Sequence, residues 1–260
     1  MTRIIAVAMQ KGGVGKTTTT VNLAAALTEL GQRVLSIDLD PQGNLTQHVG
    51  FDPEQLAPTI YTPLKAEVEG QLSDIRDAIY ETDEGFHLLP SQPELSLIEV
   101  SLINTLSRER VLSTLLEGIQ DDYDFILIDC NPSLGLLVIN ALTAASGVVI
   151  PIQTEYLAAR GAFMILSSIE TVRRKKLNPN LVIEGIVLTM ADTRTLMTGE
   201  VMAAIQQQFG GSIQIFEPLV KRSVRFAESV VAGQSILAYE PRSQGAKAYR
   251  QIAQTLMEGG

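Results

Sequence analysis

Apolar runs of strand length alternate with helix-length amphipathic segments along almost the whole chain. Ile4 to Met9 reads as a first strand. Lys16 to Leu30, with Val21, Leu23, Ala24, Leu27 and Leu30 apolar, reads as the helix after it, stopped by Gly31. The next apolar run, Val34-Leu35-Ser36-Ile37-Asp38, ends in the acidic turn Asp38-Leu39-Asp40-Pro41-Gln42-Gly43, whose proline and glycine break regular structure. Residues 51 to 82 are the least periodic, with Pro53, Pro58 and Pro63 spaced through them, and predict loops plus one helix near Leu72 to Tyr80. Phe86 to Leu89 predicts a short strand, Pro93 to Glu117 two helical stretches, and Tyr123 to Asp129 a buried strand that again ends in an acid. Val148 to Ile152 and Leu181 to Thr189 supply two more strands, with the long amphipathic segment Tyr156 to Lys176 between them, and Ser243 to Met257 is the last clear helix. The alternation predicts an α/β fold: a mostly parallel, twisted sheet with helices on both faces.

At 260 residues and 45% hydrophobic content, the chain fits one large domain spanning 1–260 better than two small ones. No stretch of about 18 uninterrupted apolar residues occurs, and Met1 to Val7 leads directly into a strand rather than a cationic signal peptide. A cytoplasmic protein is expected. The single cysteine, Cys130, excludes an internal disulfide and any cluster held by several thiolates of one chain. It reads as a small core residue rather than a reactive thiol. His48 and His87 have no metal-ligand partners at sensible spacing and read as structural or exposed. The net charge of −9 speaks against nucleic acid at first. Its distribution changes that picture, because Arg160 to Arg225 carries +4 and the rest of the chain −13.

Chemistry concentrates after the first strand, in Gln10-Lys11-Gly12-Gly13-Val14-Gly15-Lys16-Thr17-Thr18. A phosphate loop curls successive backbone N–H groups around phosphate oxygens at a helix N-terminus, which requires glycine where side chains would block approach. Gly12, Gly13 and Gly15 meet that need; Lys16 would bridge the β- and γ-phosphates, and the Thr17 hydroxyl would ligate Mg²⁺. The strict pattern has glycine six residues before the lysine, where this chain has Gln10, and a second lysine, Lys11, sits inside the loop. Asp129, ending an apolar strand, would hold a Mg²⁺-bound water. A plain N-cap for the following helix is the alternative.

The runs KGGVGKTTTT, DLDPQGN (Asp38 to Asn44) and DCNPSLG (Asp129 to Gly135) resemble the ParA/MinD family of Walker-type ATPases, a P-loop NTPase fold. The resemblance covers almost the whole chain, through Pro151 to Tyr156, Leu188 to Thr195, Arg222 to Glu228 and Gly245 to Tyr249, and is to ParA-type members. It implies ATP and Mg²⁺ as ligands and an ATP-dependent sandwich homodimer, in which Lys11 reaches the phosphates held by the partner subunit. A cation supplied only on dimerisation would make hydrolysis depend on assembly. The resemblance further implies that Asp40 orients the attacking water and that Asp38 lies near the metal. Glu155 would contact ribose across the dimer, Met190 would border the nucleotide, and Pro218 would pack the adenine. Val14 and Thr18 complete the expected phosphate cradle. The family usually has proline where this chain has Asn131, and commonly proline at Thr154.

MinD-type relatives end in a basic amphipathic helix that lies on the membrane, whereas Gln251 to Gly260 has no basic face, so no membrane partner is expected. The nitrogenase iron-protein branch needs two cysteines per subunit. ParA-type relatives bind double-stranded DNA without sequence preference once dimerised. Arg194, Lys221, Arg222 and Arg225 fall in the matching segments, with ordinary solvated charge as the alternative. For Arg173 to Lys176, complementing a helix dipole explains the run equally well. Larger plasmid members carry an N-terminal helix-turn-helix, which is not expected here. The resemblance thus implies an ATPase associated with the nucleoid and stimulated by a ParB-like or other small adaptor. Its cargo would be a plasmid or chromosome partition complex, or a protein organelle such as a carboxysome. A monomeric P-loop kinase and a non-hydrolysing ATP-binding sequestration module are the rival readings; Lys11 counts against the first, and Lys11 with Asp40 against the second.

Overall fold

The computed structural model describes residues 1–154, 158–192, 199–203, 207 and 213–259, the side chains of 158–160 excepted. Its strands are β1 Arg3–Val7, β2 Val34–Leu39, β3 Tyr80–Glu81, β4 His87–Leu89, β5 Phe125–Cys130, β6 Gly147–Gln153 and β7 Val182–Thr189. They form one sheet in the order β3-β4-β2-β5-β1-β6-β7. Every neighbouring pair is parallel except β3 with β4.

Both faces of the sheet are covered, as near-continuous apolar strands require. Alternate residues along each strand divide between two cores. Ala6, Ile37, Ile126, Ile128, Ile150 and Leu188 join one, packed under α4 Leu95–Leu102, α5 Val111–Glu117, α6 Leu136–Ala144 and α7 Ala158–Arg174. Ile5, Val7, Phe125, Leu127, Val149 and Val187 join the other, beneath α1 Lys16–Glu29, α9 Ile236–Tyr239 and α10 Gln244–Glu258. The expected α/β class, the mostly parallel sheet and the long elements are all present. The Ser243 hydroxyl caps α10 by accepting from Ala246 N at 3.0 Å.

The helix expected near Leu72 to Tyr80 is not there. The helix of this region is α3, Tyr61–Glu69, and Ile75–Ala78 forms a single 3₁₀ turn before β3. Pro63 lies in the first turn of α3, where no intrahelical N–H bond is lost. Leu72 is fully exposed and belongs to no apolar face. The 3₁₀ turn is held by Asp74, which accepts from Arg76 N at 2.9 Å, and by the Arg76–Asp122 ion pair at 2.7 Å. Periodicity also gave no sign of the short helices α2 Asn44–His48, α8 Arg225–Val231 and α9.

Register places the chemistry. Asp129 of β5 lies beside Asp38 of β2 and Val7 of β1, so two acids and the loop leaving β1 meet at the carboxyl ends of three adjacent central strands. Ligands bind at such sheet edges in open α/β folds. No helix among the described residues is long and apolar enough to cross a membrane.

Candidate functional site

The loop from Gln10 to Gly15 is anchored at both ends. Gln10 Nε2 donates to Ser168 Oγ on α7 at 3.1 Å, so the residue that departs from the strict glycine pattern ties the loop to a neighbouring helix. Thr189, ending β7, donates its hydroxyl to the Val14 carbonyl at 2.8 Å. Gly12 and Gly13 are exposed, and a Cβ added at either would meet nothing within 4 Å. Gly13 has φ 72° and Gly15 φ 87°, left-handed values that favour glycine. Helix α1 starts at Gly15 with no side-chain cap and no acid in its first turn. Its first N–H groups and its dipole are left for an anion.

Lys16 is buried, and its Nζ donates to the Lys11 carbonyl at 3.3 Å across the loop. Burial lowers its pKa, while Asp129, Cys130 and Asp40 hold it up. Thr17 donates to Asp129 Oδ2 at 2.7 Å. Asp129 is buried and pushed up to about 8, first by burial and then by the neighbouring Asp38, with the Thr17 bond opposing. Asp38 is pushed up to about 6, again by burial, against the hydrogen bonds it accepts. Its Oδ2 takes both Thr46 N at 2.8 Å and Thr46 Oγ1 at 2.7 Å, and its Oδ1 takes Asp40 N at 3.2 Å. Of the three expected metal residues, Thr17 and Asp129 therefore touch each other, whereas Asp38 is committed to Thr46. Among the described residues no three His, Cys, Asp or Glu side chains group as a metal cluster. A hydroxyl beside a carboxylate suits Mg²⁺, a hard cation that keeps several waters and takes phosphate oxygens as ligands.

Two adjoining cavities flank the loop. One of about 480 Å³ is bordered by Gly12, Gly13, Lys16, Thr17, Asp40 and Pro132, with Asn44 and His48 of α2. The second, about 240 Å³ and mostly apolar, is bordered by Thr189, Val220, Lys221, Arg222, Phe226 and Tyr249. Gly15, Thr18 and Met190 border both. Met190 has φ 51°, a strained value for a non-glycine residue and of the kind that collects at ligand sites. Beneath the apolar cavity Phe226 and Tyr249 stack edge to face at 6.1 Å, and the Tyr249 hydroxyl meets Thr19 Oγ1 at 3.2 Å. A cavity bordered by the phosphate loop and charged side chains, adjoining a more apolar one, matches the two halves of a nucleotide.

The phosphate-loop residues, Asp40 and Met190 are thus together. Pro218 is not among them: it follows a cis peptide bond and borders a separate cavity with Glu217, Leu219, Lys221 and Gln244. Glu155 and Arg194 lie outside the described residues. Lys221, Arg222 and Arg225 are exposed. Arg225 is paired with Glu228 at 2.7 Å and Glu240 at 3.4 Å, while Lys221 and Arg222 form no ion pair among the described residues. His48 is buried, its Nε2 on the Gln234 carbonyl at 3.2 Å, and burial lowers its pKa to about 4. His87 Nδ1 meets the Tyr123 hydroxyl at 2.8 Å. Cys130 is buried and its thiol pushed up by burial, in keeping with a core role. Thr46, Thr189, Phe226 and Tyr249 went unrecognised as site residues. The sequence signal for Thr189 was a hydroxyl ending an apolar strand; for Thr46, partner of Asp38 eight residues back, there was none.

A family model, AAA_31, described as an AAA domain, matches residues 2–183. The sporulation initiation inhibitor protein Soj of Bacillus subtilis is 41% identical over 261 residues, covering all of both chains. The chromosome-partitioning ATPase Soj of Thermus thermophilus is 43% identical over 257 residues, 98% of this chain and 95% of that one. Among solved structures, cobyrinic acid a,c-diamide synthase from Mycobacterium smegmatis with bound ADP and magnesium superposes with a TM-score of 0.86 at 38% identity. That match covers 99% of this chain and 95% of the other.

Proposed function

As this chain belongs to the ParA/MinD family of P-loop ATPases, we propose that it is a ParA-type partition ATPase. It binds ATP with Mg²⁺, dimerises around the nucleotide, and in that state is held on DNA without sequence preference. A ParB-like adaptor stimulates hydrolysis and releases it. The observation that carries the reading is the loop itself: an uncapped helix start, a buried Lys16 and a Thr17 hydroxyl 2.7 Å from Asp129, beside an apolar cavity. The partitioning role of the Thermus Soj relative favours a DNA partition complex as cargo over a protein organelle such as a carboxysome.

In this reading the backbone N–H groups from Gly13 to Thr18 hold the β-phosphate, and Lys16 exchanges the Lys11 carbonyl for the β- and γ-phosphate oxygens. Thr17 and Asp129 would hold Mg²⁺, the hydroxyl oxygen as a ligand and the carboxylate by accepting from a water on the ion, while Asp38 is held in place by Thr46. The ion would supply charge neutralisation at the phosphates. The base enters the cavity between Met190 and Phe226 and stacks on the aromatic pair beneath. Asp40 orients the attacking water, and Lys11 supplies charge to the partner subunit's phosphates. Arg222 and Lys221, exposed and without ion pairs among the described residues, contact DNA phosphates.

The test is retention of the purified protein on arbitrary duplex DNA with ATP, with ADP and without nucleotide, beside Lys11→Ala and Arg222→Ala. Retention with ATP alone, lost in both variants, is expected. Turnover without DNA retention in any state would sink the partition reading in favour of a kinase, and nucleotide binding without turnover would leave a sequestration module.

A further inference from the structure

In the reading above, the bond that Gln10 makes to Ser168 touches neither phosphate nor cation, yet both partners are committed to it. Ser168 is 8% exposed, and its hydroxyl donates to the Met164 carbonyl at 3.0 Å, which leaves its oxygen to accept from Gln10 Nε2 at 3.1 Å. Helix α7 also lies against the residue before Gln10, since a Cβ on Gly161 would fall 2.5 Å from Met9 Cε. Glycine at this position, as the strict pattern has it, would offer no side chain to reach α7.

Lys11 is thereby bracketed. Its carbonyl accepts from Lys16 Nζ at 3.3 Å, and the residue before it is tied to α7. Nucleotide acts on the two ties unequally. Phosphate oxygens draw Lys16 off the Lys11 carbonyl, whereas neither Gln10 nor Ser168 borders either nucleotide cavity, so their bond outlasts binding. From then on the tie to α7 limits how far the Lys11 backbone can swing. Gly12 and Gly13, exposed and with open space where a Cβ would be, add no restraint of their own. A lysine aimed at a neighbouring subunit loses rate when its backbone wanders, because ordering it then costs conformational entropy in each turnover.

We infer that Gln10, through Ser168, is a positioning residue that holds Lys11 where it can cross to the partner subunit's phosphates, an inference resting on the dimeric ATPase reading above. Gln10 touches no phosphate itself and exchanges no proton. Its loss therefore lowers the rate of the assembled dimer without loosening nucleotide from the subunit that holds it.

The experiment measures single-turnover and steady-state hydrolysis, with binding of fluorescent ADP, in wild type, Gln10→Ala, Ser168→Ala, the two combined, and Gln10→Ala combined with Lys11→Ala. Gln10→Ala is expected to lower kcat roughly tenfold, with KM for ATP and affinity for ADP within about twofold of wild type. Ser168→Ala should reproduce that loss, and the two together should lose no more than either alone. Once Lys11 is replaced by alanine, Gln10→Ala should cost nothing further. Ser168→Ala leaves the loop's own residues in place and stands in should the Gln10 variant fail to fold. Unchanged kcat in both single variants overturns the inference. So does a parallel loss of ADP affinity, which would make the bond a support for the chain's own phosphate cradle, or a further loss in the Lys11→Ala background. Wild-type turnover that Lys11→Ala leaves unchanged, or no wild-type turnover with ADP still bound, would instead remove the reading on which the inference rests.

Discussion

Without a cation, the Asp129 carboxyl is the most unfavourable charge in the site, and replacing it should stabilise the metal-free protein. Its pKa stands at about 8, against an ordinary 3.8, because it is buried and lies beside Asp38. A carboxyl raised on folding favours the protonated native state, so stability is lost as pH climbs from the ordinary value to the raised one. At 1.36 kcal/mol per unit the penalty is about 2 kcal/mol at pH 5 and grows by about 4 kcal/mol by pH 8. Asp129→Asn keeps an acceptor for Thr17 and removes the charge. In a chelating buffer the variant should therefore melt above wild type, by a margin that grows between pH 5 and pH 8 by about 4 kcal/mol. For a chain this long that growth is roughly 7 °C. Differential scanning calorimetry at the two pH values measures it. Adding Mg²⁺ and ATP should then raise the wild-type midpoint by more than that of the variant. A variant that melts below wild type at pH 8, or a gap independent of pH, would refute the reasoning.

His48 runs the other way: its folded pKa of about 4 lies below the usual 6.5, so stability is full above 6.5 and is lost as pH falls toward 4. The loss should reach about 3 kcal/mol and be largely absent in His48→Gln, read as urea midpoints across that window. Gly43 has φ 64° just before α2, and a Cβ there would lie 2.7 Å from Pro53 Cγ. Gly43→Ala should cost about 3 kcal/mol by urea denaturation and weaken nucleotide affinity, since α2 carries the Thr46 that holds Asp38. Arg225 is already occupied by Glu228 and Glu240, whereas Arg222 has no ion pair among the described residues. Arg222→Ala should reduce ATP-dependent DNA retention more than Arg225→Ala and lower the slope against log salt by about one.

What could be read from residues alone was whatever is local. The phosphate loop was legible because glycine spacing, a preceding strand and a following helix are all contained in Ile4 to Leu30. The strand-end acids were legible because a charged residue ending an apolar run stands out. That Asp38 would be claimed by Thr46 was not, since α2 is too short to show a period. The floor of the apolar cavity was equally hidden: Thr19 and Tyr249 meet across 230 residues of chain. The misplaced helix has a plain cause in Pro63, which looks like a breaker in sequence but suits the first turn of α3.

The pairing of Thr19 with Tyr249, and of Asn22 Oδ1 with Ile236 N at 2.7 Å, has a consequence for how the protein is made. At ordinary translation speeds the 230 residues between Thr19 and Tyr249 take roughly 10–50 s to synthesise. Through that interval the phosphate-loop helix has no α10 to lie against, and Val21, Leu23, Ala24 and Leu27, which share an apolar cluster with Ala248, Ile252 and Leu256, lack that part of their packing. Nucleotide competence is then acquired late and all at once, when the α10 segment clears the ribosome, rather than growing with the length of the chain.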